Sequence, residues 1–253
     1  MSAVFFVGAG PGAADLITLR GKALIEKAYV IIYAGSLVNP DLLDFAKTDC
    51  EIQNSALMTL DQVIEGIQKA VENHKMVVRL HTGDPSLYGA IREQMDRLNQ
   101  LDIAYEIIPG VSSFSAAASS LKAEYTLPGI AQTVIITRVA GRTPVPERES
   151  IRDLAAHQAT MVLFLSANLL DQAAADLMAG GYAANTPAAI VYKASWPEEK
   201  IIRCTVETLA KEAANYGINK TALICVGDFL GDDYTLSRLY AADFSTEFRE
   251  AKE

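Results

Sequence analysis

Short apolar runs alternate along the first half of the chain with stretches whose apolar residues recur every three or four positions. The runs predict β-strands at residues 3–7, 29–33, 51–53, 76–80 and 105–108. The helical spacing predicts helices at residues 16–24, 41–46, 60–73, 86–100 and 114–120, the first with Asp15 as its N-cap. Strands that alternate with helices in this order indicate a doubly wound, mostly parallel sheet.

The second half of the chain restarts the pattern after a linker at Tyr125–Gly129. Strands are predicted at residues 132–137, 160–165, 188–192, 200–206 and 222–226, and helices at 150–157, 168–179 and 207–215. Trp196–Glu199 is interpreted as the turn of a hairpin, which makes the second sheet mixed. We therefore expect two α/β domains, at residues 1–125 and 131–240.

Composition narrows the class of protein. A chain of 253 residues that is 50% hydrophobic can bury a substantial core, and a net charge of −9 argues against nucleic-acid binding. We expect no membrane span and no leader peptide. Cys50, Cys204 and Cys225 are widely spaced and odd in number, which favours a reducing cytosol. The three histidines are equally scattered, so no metal site is expected.

The stretch Met76–Gly89 is the first candidate for a ligand site. Its apolar strand breaks at Thr82-Gly83-Asp84-Pro85, and in open α/β sheets ligands bind beyond the carboxyl ends of strands. Gly83 would let a ligand lie on the backbone, and Asp84 can accept hydrogen bonds from hydroxyl or ammonium donors. The same residues are also ordinary turn formers, so this motif alone decides nothing.

A second glycine turn follows the first strand. Gly8, Gly10 and Ala13 fit the dinucleotide fingerprint G-x-G-x-x-G/A, which keeps a nicotinamide-dependent oxidoreductase among the alternatives. The fingerprint also needs an acid at the end of the next strand, and the sequence has Ala34-Gly35 there. Pro11 removes one N–H group from the loop, so a phosphate cradle is weakened.

One segment is basic, although the chain as a whole is acidic. Residues 138–148 carry Arg138, Arg142 and Arg148 with a single acid. Such a loop is most often a solvated connector. The functional interpretation is that its arginines form a clamp for carboxylates, which guanidinium groups match in shape. No spacing pairs a nucleophile with a base, so a reaction that depends mainly on positioning is favoured over covalent catalysis.

Three motifs taken together are similar to the tetrapyrrole (corrin/porphyrin) methylase family, over nearly the whole chain. They are Val7–Gly12 with Asp15–Thr18, Thr82–Pro85, and Pro109–Ser113. Within the family, Tyr33–Val38, Thr137–Glu147 and Val191–Lys200 resemble the branch that methylates C-11 of precorrin-4 in cobalamin synthesis. The uroporphyrinogen-III methylases differ from this chain, because they have a Tyr-Asp-Arg type sequence at Ala34-Gly35.

The resemblance implies a two-domain α/β enzyme, usually a homodimer, that binds S-adenosyl-L-methionine in a cleft between its domains and methylates a corrinoid or other tetrapyrrole. The family's cofactor contacts fall on Pro11, Thr82, Gly83, Asp84, Leu87, Ser112, Ser113, Leu165, Ala194, Thr221 and Ala222. The family often has Gly-Gly-Asp at Thr82–Asp84 and Met near Leu165, so these two positions depart from its pattern.

The remaining roles rest on fewer observations. Candidates for binding the substrate's carboxylates are Arg138, Arg142, Arg148 and Lys193. Tyr33, Asp84 and Arg92 are the candidates for moving a proton, although water can serve instead. A carrier that binds S-adenosylmethionine or a tetrapyrrole without turnover also stays open, because no catalytic side chain is identified.

Overall fold

The computed structural model describes residues 3–251 and divides into two compact units. The first unit runs to Ala116 and also includes Lys193–Glu199, and the second comprises Ala117–Tyr192 and the chain from Lys200 onward. The predicted fold class of two α/β domains is confirmed, with a parallel sheet in the first unit and a mixed sheet in the second.

The first unit is built on a parallel five-stranded sheet in the order β3-β2-β4-β1-β5. Its strands are β1 (Val4–Gly8), β2 (Val30–Tyr33), β3 (Glu51–Asn54), β4 (Val77–His81) and β5 (Tyr105–Ile108). The helices are α1 (Leu19–Lys27), α2 (Leu60–Glu72), α3 (Arg92–Gln100) and α4 (Ser113–Leu121), which begins in this unit. The chain leaves β1 towards one edge and β4 towards the other, so these neighbours form the topological switch point.

Both faces of this sheet are covered, as the near-continuous apolar strands require. Along β1, Val4 and Phe6 pack with buried residues of α2 and α3, and Val7 packs on the opposite face with Ile25 of α1. The central strand β4 is fully buried along its length. The carboxyl ends of all five strands therefore lie at one edge of a rigid layer.

The second unit holds a sheet in the order β6-β7-β10-β8-β9, in which only β6 and β7 are parallel. Its strands are β6 (Val134–Arg138), β7 (Thr160–Phe164), β8 (Pro187–Tyr192), β9 (Lys200–Thr205) and β10 (Ala222–Val226). Its helices are α5 (Ile151–Ala155), α6 (Leu170–Ala179) and α7 (Leu209–Asn215). Met161, Leu163, Ile190 and Ile224 belong to the apolar cluster that the three helices complete.

Two local predictions from the sequence are wrong. The helix predicted from residue 86 begins only at Arg92, because Tyr88 and Ala90 have φ values of 57° and 49° that no α-helix can contain. Asp15 does not cap α1, since the Thr18 hydroxyl accepts the Gly21 N–H at 3.1 Å and Asp15 lies in a preceding 3₁₀ turn. The short helix predicted at 41–46 is present as a 3₁₀ helix, Pro40–Phe45.

Between residues 3 and 251, no helix combines the length and the apolar character needed to cross a membrane.

Candidate functional site

The switch point of the first sheet brings three glycines into direct backbone contact. Gly8 ends β1, Gly83 follows β4 and Gly110 follows β5. A Cβ on Gly8 would lie 2.6 Å from Gly110 Cα and 2.7 Å from Gly83 O, and one on Gly110 would overlap the Gly83 carbonyl oxygen. Only glycine allows three strand ends to approach this closely. The three loops therefore pack against one another, backbone to backbone, at the carboxyl edge of the sheet.

Hydrogen bonds join the loop after β1 to the loop after β4. Gly10 and Gly83 exchange two backbone bonds of 3.3 and 2.8 Å, and the Ala9 N–H donates to His81 O at 2.7 Å. The Ala13 N–H donates to Ser195 Oγ at 3.0 Å, and Pro11 has no N–H. Most donors that a phosphate cradle would use are therefore already bonded to protein, which argues against the dinucleotide alternative.

The carboxylate of Asp84 is held by the protein on both oxygens. Oδ2 accepts the Gly110 N–H at 2.9 Å, and Oδ1 accepts the Ser86 N–H at 2.8 Å and a short hydrogen bond from the Ser86 hydroxyl. Partial burial alone would raise the pKa of Asp84, but the hydrogen bonds from Ser86 and Gly110 stabilise the ionised form and bring the pKa below its ordinary value. Asp84 thereby fixes the loop after β4 against the loop after β5.

The predicted cofactor contacts of the first unit fall largely on these loops. Thr82, Gly83 and Asp84 follow β4, and Ser112 and Ser113 lead into α4. A methyl group added to Gly83 would lie 3.6 Å from Ser113 N and 3.7 Å from Ser112 Cα.

Two further predicted contacts adjoin this group. Leu87 donates its N–H to Asp84 O at 3.2 Å, and Pro11 lies one residue after the Gly10–Gly83 pair. The first unit thus brings together Pro11, Thr82–Asp84, Leu87 and Ser112–Ser113.

The sequence-based interpretation did not predict that the segment Lys193–Glu199, which we call the strap, holds the loop after β1. The Trp196 Nε1–H donates to Pro11 O at 3.0 Å, and the strap also supplies the Ser195 hydroxyl that binds Ala13. Ala194, the predicted cofactor contact in the strap, is 6% exposed. The available signal was length and composition, since seven residues with a tryptophan and a proline between β8 and β9 exceed a tight hairpin turn.

In the second unit, three predicted cofactor contacts share one end of the sheet. Leu163 pairs with Ile224 in the antiparallel β7–β10 ladder, so Leu165 lies near the end where β10 begins at Ala222, directly after Thr221. Leu165 and Thr221 have φ values of 52° and 56°, and Leu165 is 63% exposed. An exposed, strained leucine needs a reason, and strain of this kind concentrates at functional sites.

The arginines of the basic loop after β6 have different surroundings. The Arg138 guanidinium donates to Thr143 O at 3.1 Å and Pro144 O at 2.7 Å, so it shapes its own loop. Arg142 and Arg148 are exposed on that loop, and the Arg148 guanidinium lies 3.9 Å from the Glu149 carboxylate.

The neighbouring cavity, of about 510 Å³, has a mixed charge. Its charged lining is Arg138, Arg152, Glu147, Asp153 and Asp176. Lys193, on the strap, is ion-paired with Glu198 at 3.3 Å. Arg142 and Arg148 are therefore the cations of this set that are best placed to meet a substrate's carboxylate.

The proton-transfer candidates occupy different surroundings. Tyr33 ends β2 opposite Leu80 and is partly buried at the carboxyl edge. Arg92 is exposed at the start of α3 and pairs with Asp96 at 2.9 Å. Asp84 is committed to Gly110 and Ser86, as described above. Of these three residues, Tyr33 is therefore the one best placed to meet a ligand at the strand ends.

Buried polar side chains also lie within β4. The Arg79 guanidinium donates to Gln94 Oε1 at 3.0 Å and to Ile32 O at 2.9 Å, and burial lowers its pKa to about 10. Burial, with a smaller contribution from the Arg79 charge, lowers the pKa of His81 to about 3. Within the described residues, His81 Nε2 is buried with no hydrogen-bond partner. The imidazole is therefore neutral at ordinary pH.

Comparison with known proteins gives consistent matches. The family model for Tetrapyrrole (Corrin/Porphyrin) Methylases matches residues 3–210. The chain is 55% identical over 249 residues to a cobalt-precorrin-4 C(11)-methyltransferase of Methanocaldococcus jannaschii, with coverage of 98% of this chain and 96% of that protein.

Two solved structures are also similar. A cobalt precorrin-4 methyltransferase matches with a TM-score of 0.89 and 45% identity, covering 90% of this chain and 96% of that one. The uroporphyrin-III C-methyltransferase of Thermus thermophilus, complexed with S-adenosylhomocysteine, matches with a TM-score of 0.75 and 26% identity, covering 90% and 93%.

Proposed function

We propose that this chain, which belongs to the tetrapyrrole (corrin/porphyrin) methylase family, transfers a methyl group from S-adenosyl-L-methionine. The acceptor would be C-11 of precorrin-4 or cobalt-precorrin-4 in cobalamin biosynthesis. The main support is the 55% identity, over 98% of the chain, to a cobalt-precorrin-4 C(11)-methyltransferase. The similarity to a uroporphyrin-III C-methyltransferase is weaker, at 26% identity. Methylation at C-11 is therefore favoured over that sister reaction.

The geometry of the first unit supports the choice of cofactor. The three glycines let the loops after β1, β4 and β5 pack closely at the switch point, while the loop after β1 has too few unbonded N–H groups for a pyrophosphate. S-Adenosylmethionine would supply an electrophilic methyl group on a sulfonium. Thr82–Asp84 and Ser112–Ser113 would hold that ligand, with Asp84 fixing both loops. Leu165, Ala194, Thr221 and Ala222 would complete the contacts.

Positioning suits this chemistry. Methyl transfer from a sulfonium removes positive charge from sulfur, so no strong anion has to be stabilised in the transition state. Alignment of the methyl group with the ring carbon can then supply most of the acceleration. Loops fixed by Asp84, by the Gly10–Gly83 pair and by the strap are rigid supports of the kind that alignment requires.

A substrate rich in carboxylates needs a local positive surface on an acidic protein. Arg142 and Arg148 would bind those carboxylates, and Arg138 would hold their loop through Thr143 and Pro144. We also propose a homodimer, on the family resemblance, and a cytoplasmic location, on the widely spaced and odd-numbered cysteines.

The first experiment is calorimetric titration with S-adenosylhomocysteine, with NAD as the parallel ligand. We expect S-adenosylhomocysteine to bind the wild type and to bind Asp84→Ala about 10-fold or more weakly, because the Gly110 N–H loses its partner and the two loops separate. Asp61→Ala is the matched control, since its exposed ion pair with Arg97 should contribute little. Binding of NAD in place of S-adenosylhomocysteine would refute the proposed cofactor.

Arg142→Ala should weaken substrate binding while leaving S-adenosylhomocysteine binding unchanged. The reason is that Arg142 is exposed on the loop after β6 and would lose a charge-assisted contact to a carboxylate, equivalent to roughly a 10-fold rise in KM. Steady-state methylation of precorrin-4 measures the effect, and Arg20→Ala, another exposed arginine, is the control. An unaltered KM in Arg142→Ala would exclude the clamp.

A further inference from the structure

Three consecutive residues of the loop after β1 are each held by a separate side chain. Trp196 Nε1–H donates to Pro11 O at 3.0 Å, Asn39 Nδ2–H donates to Gly12 O at 2.9 Å, and the Ala13 N–H donates to Ser195 Oγ at 3.0 Å. Two of these three bonds come from the strap. A loop held in this way has little conformational freedom left to lose when a ligand binds.

Steric contact reinforces the hydrogen bonds. A Cβ on Gly12 would overlap the Trp196 indole and would lie 2.9 Å from its Cγ. The indole therefore packs against the backbone of Gly12, and a side chain at that position would collide with it. Trp196 thus contributes both a donor and a surface that fits the loop.

The strap is itself stiff. The Ser195 N–H donates to Glu199 Oε2 at 2.6 Å, and the Lys193 ammonium lies 4.9 Å from the centre of the Trp196 ring while it pairs with Glu198. Lys193 and Ser195 have φ values of 47° and 69°, a conformation that costs free energy unless the surroundings enforce it. Strain of this kind on both sides of Ala194 indicates that the backbone path of the strap is under functional constraint.

We propose that Ser195 and Trp196 are positioning residues of the cofactor site, which hold Pro11 on one side and Ala194 on the other in the geometry that binds S-adenosylmethionine. The inference rests on the proposed function, because it needs Pro11 and Ala194 to contact that cofactor. Neither side chain is a catalytic residue, since each acts through the backbone that it fixes.

Two conservative variants test the role. Trp196→Phe keeps most of the ring surface over Gly12 and removes the donor to Pro11, and Ser195→Ala removes the acceptor for the Ala13 N–H. Each should weaken S-adenosylhomocysteine binding about 3- to 10-fold by calorimetry, the equivalent of one hydrogen bond. Their thermal midpoints without ligand should match those of the controls, Tyr216→Phe and Ser237→Ala, which remove an exposed hydroxyl and a backbone-capping serine elsewhere.

The outcomes separate the two proposals. A wild type that does not bind S-adenosylhomocysteine refutes the proposed function. A wild type that binds, with both strap variants equal to the controls in affinity, refutes the positioning role alone. Lower thermal midpoints with unchanged affinity would also refute the positioning role, since they mean that the strap only stabilises the fold.

A second measurement needs no variant. Trp196 is the single tryptophan of the chain, so its fluorescence reports on the strap alone. Titration of the wild type with S-adenosylhomocysteine should change the emission with the same Kd as calorimetry. Emission that stays constant while calorimetry shows binding would contradict contact between the strap and the occupied site.

Discussion

Replacement of Gly110 by alanine should lower the free energy of unfolding by about 3 kcal/mol and abolish measurable binding of S-adenosylhomocysteine. The new methyl group would overlap Gly83 O and lie 2.8 Å from Gly8 Cα, and both are backbone atoms of central strand ends. Neither atom can move without shifting β1 or β4. The Gly110 N–H would also leave Asp84, so the loops that form the site would separate. Urea unfolding and calorimetry measure the two effects.

The matched control is Gly66→Ala in α2, where the nearest contact of the new methyl group is the Gln53 side-chain oxygen at 3.3 Å. Alanine favours a helix interior by up to about 1 kcal/mol over glycine, so this variant should be as stable as the wild type or more stable. If Gly110→Ala unfolded at the same urea concentration as Gly66→Ala, the close contact of the three strand ends would be disproved.

The wild type should lose about 2 kcal/mol of stability between pH 7 and pH 5 through His81 alone. Burial, and to a lesser extent the Arg79 charge, lowers the pKa of His81 from 6.5 to about 3 in the folded chain. Above pH 6.5 the imidazole is neutral in both states. As the pH falls towards 3, the unfolded chain takes up a proton that the folded chain does not, so unfolding is increasingly favoured.

His81→Leu should remove this part of the acid sensitivity. At pH 7 the variant should be at least as stable as the wild type, because it also eliminates the buried Nε2 that has no partner among the described residues. His157→Gln, at an exposed histidine, is the control and should keep the wild-type pH dependence. Urea unfolding at pH 7 and pH 5 gives the comparison, and equal pH slopes for wild type and His81→Leu would show that His81 titrates normally.

Much of the fold could be predicted from the sequence because its strands are short, apolar and spaced by helices. The run at residues 76–80 predicted β4 to within one residue, although Arg79 and His81 are polar, because its flanking residues are β-branched. The helix expected from residue 86 was misjudged for the opposite reason. Polar residues at helical spacing predicted a helix, but Tyr88 and Ala90 take left-handed conformations that the pattern does not reveal.

The candidate site could be predicted only in part. Glycines at three strand ends and Asp84 could be identified, because their residue types are unusual and they follow apolar runs. The role of the strap could not, because Ser195 and Trp196 lie about 180 residues from the loop that they hold. No local pattern encodes a contact of that separation. Similarly, the spacing of the arginines predicted a clamp, but only the geometry shows that Arg138 is occupied by its own loop.

Because Lys193–Glu199 belong to the first unit, that unit is completed late in the synthesis of the protein chain. All five strands of the first sheet have been synthesised once translation reaches residue 108. The residues that hold Pro11 and Ala13 are added some 90 residues later. Domains generally fold as units during synthesis, with the N-terminal one first. The nascent first unit should therefore pass through a stage in which its sheet is formed while the loop after β1 still lacks two of its hydrogen bonds. Competence to bind the cofactor would then arise late in translation, only when the strap has been made.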